Sequence, residues 1–293
     1  MGTRVQIELW HDDADDAARL IRAGMAEFDR IDAAMSTYRD DSEITRINDA
    51  AASGPVEVGA ELFELIERAL DLSELTAGSF DITYDSVGQL YDYRSNSRPG
   101  EDAIRQSLAK IDYRLVELDA DASTIQFAAP GVRINLGGIA KGYACESVIA
   151  LLRERGVTNA LVSAGGDTRL LGDRGNGPWV VGIRDPDDKN GVVTRLALDD
   201  EAVSTSGDYE RFFDEDGVRY HHILNPSTGH SAGELRSVSV IGPDATMTDG
   251  LSTSVFVLGP TEGLALIEQL QDYEAILIDT QHRVRFSTGF DAR

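Results

Sequence analysis

Along this chain the spacing of apolar residues changes period several times, and each change predicts an element. "TRVQIELW" (3–10) alternates polar with apolar positions and predicts a half-buried strand. Ala17, Leu20, Ile21, Gly24, Met25, Phe28, Ile31 and Asp32 then follow three-four spacing, which predicts a long helix ending near "AMSTYRDDS". "AELFELIERALDLSELT" (60–76) predicts a second amphipathic helix stopped by Ala77-Gly78, and "GEDAIRQSLAKI" (100–111) a weaker third. From Tyr113 onward short strands are expected in "YRLVELD", "STIQFA" and "VRINL", followed by a helix from Ile139 to Arg155 with Gly156 as its stop.

The remaining third reads as strands and turns ("NALVSAG", "WVVGIRD", "VTRLALDDEAVSTSG", "RYHHILNPSTG", "LRSVSVIG"). A helix from about Thr246, another in "TEGLALIEQL" and a terminal hairpin "EAILIDTQHRVRFS" complete it. Helices and strands mix without strict βαβ alternation, so an α+β fold is expected, with mixed helices and antiparallel-rich sheets. One domain, 1–293, accounts for the pattern. The polar loop at 95–101 is the place for a subdomain boundary.

Charge removes several classes of partner. The chain has 293 residues and a formal net charge of -24, from 51 acidic and 27 basic residues. Such a surface repels phosphate backbones and anionic lipid, so no nucleic-acid partner is expected. A single cysteine, Cys145, excludes an internal disulfide and any multi-cysteine metal site. No stretch reads as the roughly 20 consecutive apolar residues of a membrane span. The acidic "HDDADD" stands where a signal peptide is apolar, so the chain as written is expected to be cytoplasmic, or extracytoplasmic if a leader has been removed.

Several stretches could carry chemistry. "INLGGIAKGYACE" (134–146) runs through a glycine pair into a helix but matches neither the P-loop nor the dinucleotide fingerprint. Gly137 and Gly138 allow close backbone approach, and Lys141 adds a charge in the first turn. An anion seat and a plain strand-to-helix turn are both open readings. In "GSFDITYDSVGQLYDY" (78–93), Asp81 could bond a heterocycle or ribose, or cap the next turn. The glycines of "SAGGDTRLLG" (163–172) suit a close approach or a hairpin.

In "TMTDGLSTSVFVLG" (246–259), a helix begun by Thr246 or Thr248 would place Asp249 and Thr253 one turn apart on one face. These are hard oxygen donors of the kind Mg²⁺ takes beside phosphate; alternatively Asp249 serves the helix dipole and Thr253 bonds back to its own helix. In "RYHHILNPSTG" (219–229), alternation puts Tyr220, His222 and Leu224 on one face and His221 and Ile223 on the other, so one histidine at most serves a given site as a base.

Taken in order, "MGT", "MSTYRDDSEITRIN", "GSFDIT", "INLGGIAKGYA", "NALVSAGGD", "TSGDYERFF", "YHHILNPSTG" and "TDGLSTSVFVLG" closely resemble the FAD:protein FMN transferases, the ApbE-like flavin transferase family. The resemblance spans nearly the whole chain. It implies a compact ApbE-like, T-fold-related architecture, and an enzyme that uses Mg²⁺ to transfer FMN from FAD to a threonine or serine of an acceptor flavoprotein, releasing AMP. It further implies that Met1, Tyr38, Ser79, Phe80, Asp81, Asn135, Lys141 and Ile223 contact FAD. Asp249, Thr253 and the Gly138 carbonyl would hold the metal. His222 or Asp249 would take the acceptor proton, with His222 preferred because a bound cation lowers the proton affinity of Asp249. An FAD pyrophosphatase and a non-catalytic FAD binder are the alternatives. Two positions depart from the family pattern: Asn135 and Asn225 both stand where Asp is usual.

Overall fold

The computed structural model describes residues 2–188 and 190–292. The chain opens with β1 (Val5–Leu9) and α1 (Ala14–Met35). The Asp13 side chain caps α1 by accepting the Asp16 N–H, and Leu20, Phe28, Ile31 and Met35 form its buried stripe. α2 (Glu43–Ala50) is capped by Ser42, and β2 (Val56–Glu57) and α3 (Ala60–Leu75) follow. Gly78, at φ +80°, ends the run after α3, as the Ala-Gly stop predicted. A 3-10 turn (Ile82–Tyr84) leads into α4 (Asp85–Gly88), then α5 (Glu101–Leu108), β3 (Val116–Asp119), β4 (Thr124–Phe127) and α6 (Ala140–Glu154).

Strands dominate the rest: β5 (Ala160–Ala164), β6 (Asp167–Leu171), β7 (Trp179–Arg184), β8 (Val192–Leu198), β9 (Ala202–Gly207), β10 (Phe212–Glu215), β11 (Val218–His221) and β12 (Leu235–Gly242). The chain closes with α7 (Ala245–Ile267), β13 (Glu274–Asp279) and β14 (Val284–Phe286). Among the described residues the main sheet has seven strands in the order β1-β5-β6-β9-β12-β13-β14, every pair antiparallel. The α+β expectation holds, with antiparallel sheets and helices α6 and α7 packed on the main sheet.

Three expectations need correction. "VRINL" is not a strand and pairs with none among the described residues. The Asn48 side chain of α2 takes the place of a neighbouring strand, donating to the Ile134 carbonyl at 2.9 Å and accepting the Ile134 N–H at 2.8 Å. α7 starts at Ala245, with Asp244 as the cap rather than Thr246 or Thr248. It is also long and apolar enough to meet the length test for a membrane span, which no segment was expected to do. Thr246, Leu251, Val255 and Phe256 of α7 are buried inside the protein, and Gly259 at φ +80° before Pro260 breaks it into the two helical pieces the sequence suggested.

Candidate active site

α6 and α7 approach so closely that a Cβ at Gly142 would lie 2.0 Å from the Ala245 carbonyl oxygen and 2.9 Å from Asp249 Cβ. This contact brings together Lys141 on α6, Asp249 on α7 and Asp167 at the start of β6. Lys141 Nζ lies 3.0 and 3.1 Å from the Asp249 carboxylate oxygens and 2.8 Å from Asp167 Oδ2. Asp249 also accepts the Gly142 N–H at 3.0 Å, so the first turn of α6 already has a carboxylate on it. Of the two open readings of this turn, the anion position at the helix start is occupied by a carboxylate of the chain itself, and Lys141 turns toward carboxylates.

Both carboxylates are buried. Burial alone would discharge Lys141, but Asp167 and Asp249 outweigh it and hold the ammonium firmly protonated. Burial and then the nearby Asp249 push the Asp167 carboxyl up to about 7. Two carboxylates share one ammonium, an arrangement with room for further positive charge.

The helix-dipole and back-bonding reading of Asp249 and Thr253 does not describe this helix. Thr248, Ser252 and Ser254 bond back to α7 carbonyls, whereas Thr253 Oγ1 lies 3.3 Å from Ser206 Oγ on β9. Thr253 also borders the glycine pair: a Cβ at Gly138 would lie 3.4 Å from Thr253 Oγ1 and 3.1 Å from Phe80 Cε2. Gly138, Thr253 and Phe80 are thus neighbours, with Asp249 one turn before Thr253 on α7. Among the described residues no cluster of three or more His, Cys, Asp or Glu gathers to hold a metal. A cation here would rest on one carboxylate with hydroxyl and carbonyl oxygens. That donor set suits Mg²⁺, which keeps several waters and takes substrate phosphate.

Beyond Gly137 stand Asn135, Asp85 and Tyr84, whose hydroxyl would lie 3.7 Å from a Cβ at Gly137. Asn135 Nδ2 donates to Asp85 Oδ1 at 3.1 Å and to Thr37 Oγ1 at 3.3 Å, and its Oδ1 accepts the Gly137 N–H at 2.9 Å. Tyr38 is 74% exposed, with the Arg94 guanidinium 5.7 Å from its ring centre. Such an aromatic face in solvent is available to a flat ligand. Ser79 has a buried hydroxyl without a partner among the described residues. Asp81 is committed inward: it accepts from the Thr83 N–H and hydroxyl and from the Tyr113 N–H, and caps the 3-10 turn. The capping alternative is the one realised. Met1 lies outside the described residues.

The histidine pair divides its roles. His221 is buried, its Nε2 2.7 Å from the Ala232 carbonyl and its Nδ1 accepting the Ile223 N–H at 3.3 Å, so it serves the fold. Strict alternation ends there, because β11 stops at His221 and both Ile223 and Leu224 are buried. His222 is half-buried, with Nδ1 buried and unpartnered among the described residues. Burial, then the charges of His221, Arg211 and Lys141, push its imidazole down to about 3, which keeps it neutral. The His222 backbone N–H donates to the Arg211 carbonyl at 3.1 Å. A Cβ at Gly2 would lie 3.7 Å from the Arg211 guanidinium, so Gly2 sits beside Arg211.

Sequence reading missed Asp167, Asp85 and Arg211. Asp167 had a signal: on β6 it shares the inward parity of Arg169 and Leu171, and a carboxylate at an inward strand position needs a partner. Asp85 and Arg211 had none, since their neighbours come from distant segments.

Residues 1–277 match the model of the ApbE family. The chain is 37% identical over 276 residues to the FAD:protein FMN transferase of Treponema pallidum (strain Nichols), covering 87% of this chain and 75% of that protein. It is 32% identical over 299 residues to that of Klebsiella pneumoniae (strain 342), covering 98% and 92%. The crystal structure of the ApbE protein from Thermotoga maritima superposes with a TM-score of 0.92 at 34% identity, covering 99% of this chain and 96% of that one. The flavin transferase ApbE from Vibrio cholerae gives 0.89 at 29%, covering 100% and 96%. Matched by its model almost end to end and by relatives along most of their own length, the chain belongs to the ApbE family.

Proposed function

We propose that this chain transfers FMN from FAD to a threonine or serine hydroxyl of an acceptor flavoprotein, forming a phosphoester and releasing AMP. The observation that carries the reading is the cluster of Lys141, Asp249 and Asp167 beside the Gly137-Gly138 turn, with Thr253 next to it. Family membership and relatives that act as FAD:protein FMN transferases support it.

Asp249, Thr253 and the Gly138 carbonyl would hold Mg²⁺. Bound there, the ion would supply charge neutralisation at the pyrophosphate. Lys141 contributes a fixed positive charge on the phosphate side. Tyr38 offers an exposed aromatic face to the flavin, the buried Phe80 and Ile223 would back the pocket wall, and Ser79 and Asn135 offer hydrogen bonds. His222, neutral at physiological pH, takes the acceptor hydroxyl proton as the new O–P bond forms to the FMN phosphorus and the bond to the AMP oxygen breaks. This assignment leaves Asp249 to the cation. Asp81 supports the pocket from behind through its cap.

The test mixes the protein with FAD, Mg²⁺ and a candidate acceptor domain and follows flavin fluorescence through denaturing electrophoresis, with AMP release in parallel. Covalent label with stoichiometric AMP is expected. FMN and AMP without label would make the chain a pyrophosphatase, and FAD retained intact would make it a binder.

A further inference from the structure

Asp167 is a buried carboxylate with no part in the mechanism above. Its side chain is 1% exposed, and Lys141 and the Ser204 hydroxyl are the neighbours that favour its charged form. Among the described residues its ion pair is with Lys141, at 2.8 Å. Asp249 differs, because it holds both the Lys141 ammonium and the Gly142 N–H. Lys141 itself is 30% exposed at the side chain, so its ammonium bridges the two carboxylates at the edge of the site.

A cation that takes Asp249 would compete with Lys141 for that carboxylate. Asp249 can exchange one positive partner for another. Asp167, 1% exposed, would lose its buried cation partner if it released Lys141, which is unfavourable. The ammonium therefore stays anchored on the β6 side when Asp249 is engaged.

We propose that Asp167 is a positioning residue: it holds Lys141 in place against the phosphates of FAD once Asp249 is occupied by a divalent cation. This rests on the reading of the site as one that binds FAD with Mg²⁺. Its consequence runs against simple electrostatics, since an acidic residue near an anionic ligand should weaken binding, whereas here it strengthens binding through Lys141.

The test measures FAD affinity by calorimetry at saturating Mg²⁺ for the parent, Asp167→Asn, Lys141→Gln and the double variant. In the parent background Asp167→Asn should weaken FAD binding about fivefold to tenfold; in the Lys141→Gln background it should leave affinity unchanged or tighten it. Equal weakening in both backgrounds would overturn the proposal and make Asp167 a structural or ion-holding residue. Tightening in both would reduce it to a repulsive charge. Absence of FAD binding by the parent would sink the functional reading, and the inference with it.

If Lys141→Gln does not fold, amine labelling gives the same decision in the intact chain, with Lys110 as the internal reference. FAD and Mg²⁺ should protect Lys141 in the parent but not in Asp167→Asn. Equal protection in the two proteins would refute the positioning role.

Discussion

The Asn135 amide nitrogen donates to the buried Asp85 carboxylate at 3.1 Å, while the Asn135 carbonyl oxygen holds the Gly137 N–H at 2.9 Å. This pair explains a departure from the family pattern. An Asp at 135 could still accept from Gly137 but could not donate to Asp85, and would set two carboxylates face to face. At 225 the exchange is milder, because among the described residues the Asn225 side chain bonds through its oxygen alone, accepting from the Ser227 N–H at 2.9 Å and hydroxyl at 2.7 Å, a role Asp fills equally.

Asn135→Asp should therefore destabilise the fold by about 1–3 kcal/mol near neutral pH. Burial already raises the Asp85 pKa, so one proton shared by the new pair would relieve the repulsion. The loss should shrink as pH falls through the carboxylate range. Chemical denaturation of both proteins at several pH values measures it; a penalty that did not change with pH would remove the charge explanation.

Asp249→Asn keeps the shape of the side chain but removes the charge. Metal-dependent AMP release should fall by about a hundredfold or more, equivalent to about 3 kcal/mol of transition-state stabilisation. A Mg²⁺ titration of initial rates reads it, and turnover close to the parent's would place the metal elsewhere.

The neutral His222 predicts a pH effect. Its pKa is 6.5 in the unfolded chain and about 3 in the folded one, so between these values the unfolded chain binds more protons. The stability this group contributes is present above about pH 6.5 and is lost as pH falls toward 3, with a slope of at most about 1.4 kcal/mol per pH unit. His222→Asn should flatten stability against pH over that window. In an NMR titration, the ring signals that vanish in the variant should have a midpoint below pH 4; a midpoint near 6.5 would contradict the burial argument.

Gly142→Ala has no room. Its Cβ would meet the Ala245 carbonyl at 2.0 Å and Asp249 Cβ at 2.9 Å. Parting α6 from α7 should cost about 3 kcal/mol and shift Asp249 away from Lys141. Thermal unfolding and Mg²⁺ affinity should fall together, and an unchanged melting temperature would mean that the helices can separate freely.

Tyr38→Ala is the opposite case. With the ring exposed, stability should stay within about 0.5 kcal/mol of the parent. FAD affinity should drop about tenfold as a stacking face is lost. Calorimetry separates the two, and unaltered FAD affinity would take Tyr38 out of the flavin site.

Periodicity alone determined most elements of this protein. The stripes of α1 and α3, the Gly-marked end of α6 and the alternation of β1 are local properties, set by neighbours within a turn or a pleat. Motif order further located Lys141, Asp249, Thr253 and His222. Tertiary structure decided what those residues do. Asn48, on a helix the pattern did not predict, replaces a strand partner for Ile134 across 86 positions. Asp167 meets Lys141, and Asn135 meets Asp85, only because separate segments converge. A buried polar group must find its partner wherever the chain brings one, and that distance in sequence leaves no local pattern to read.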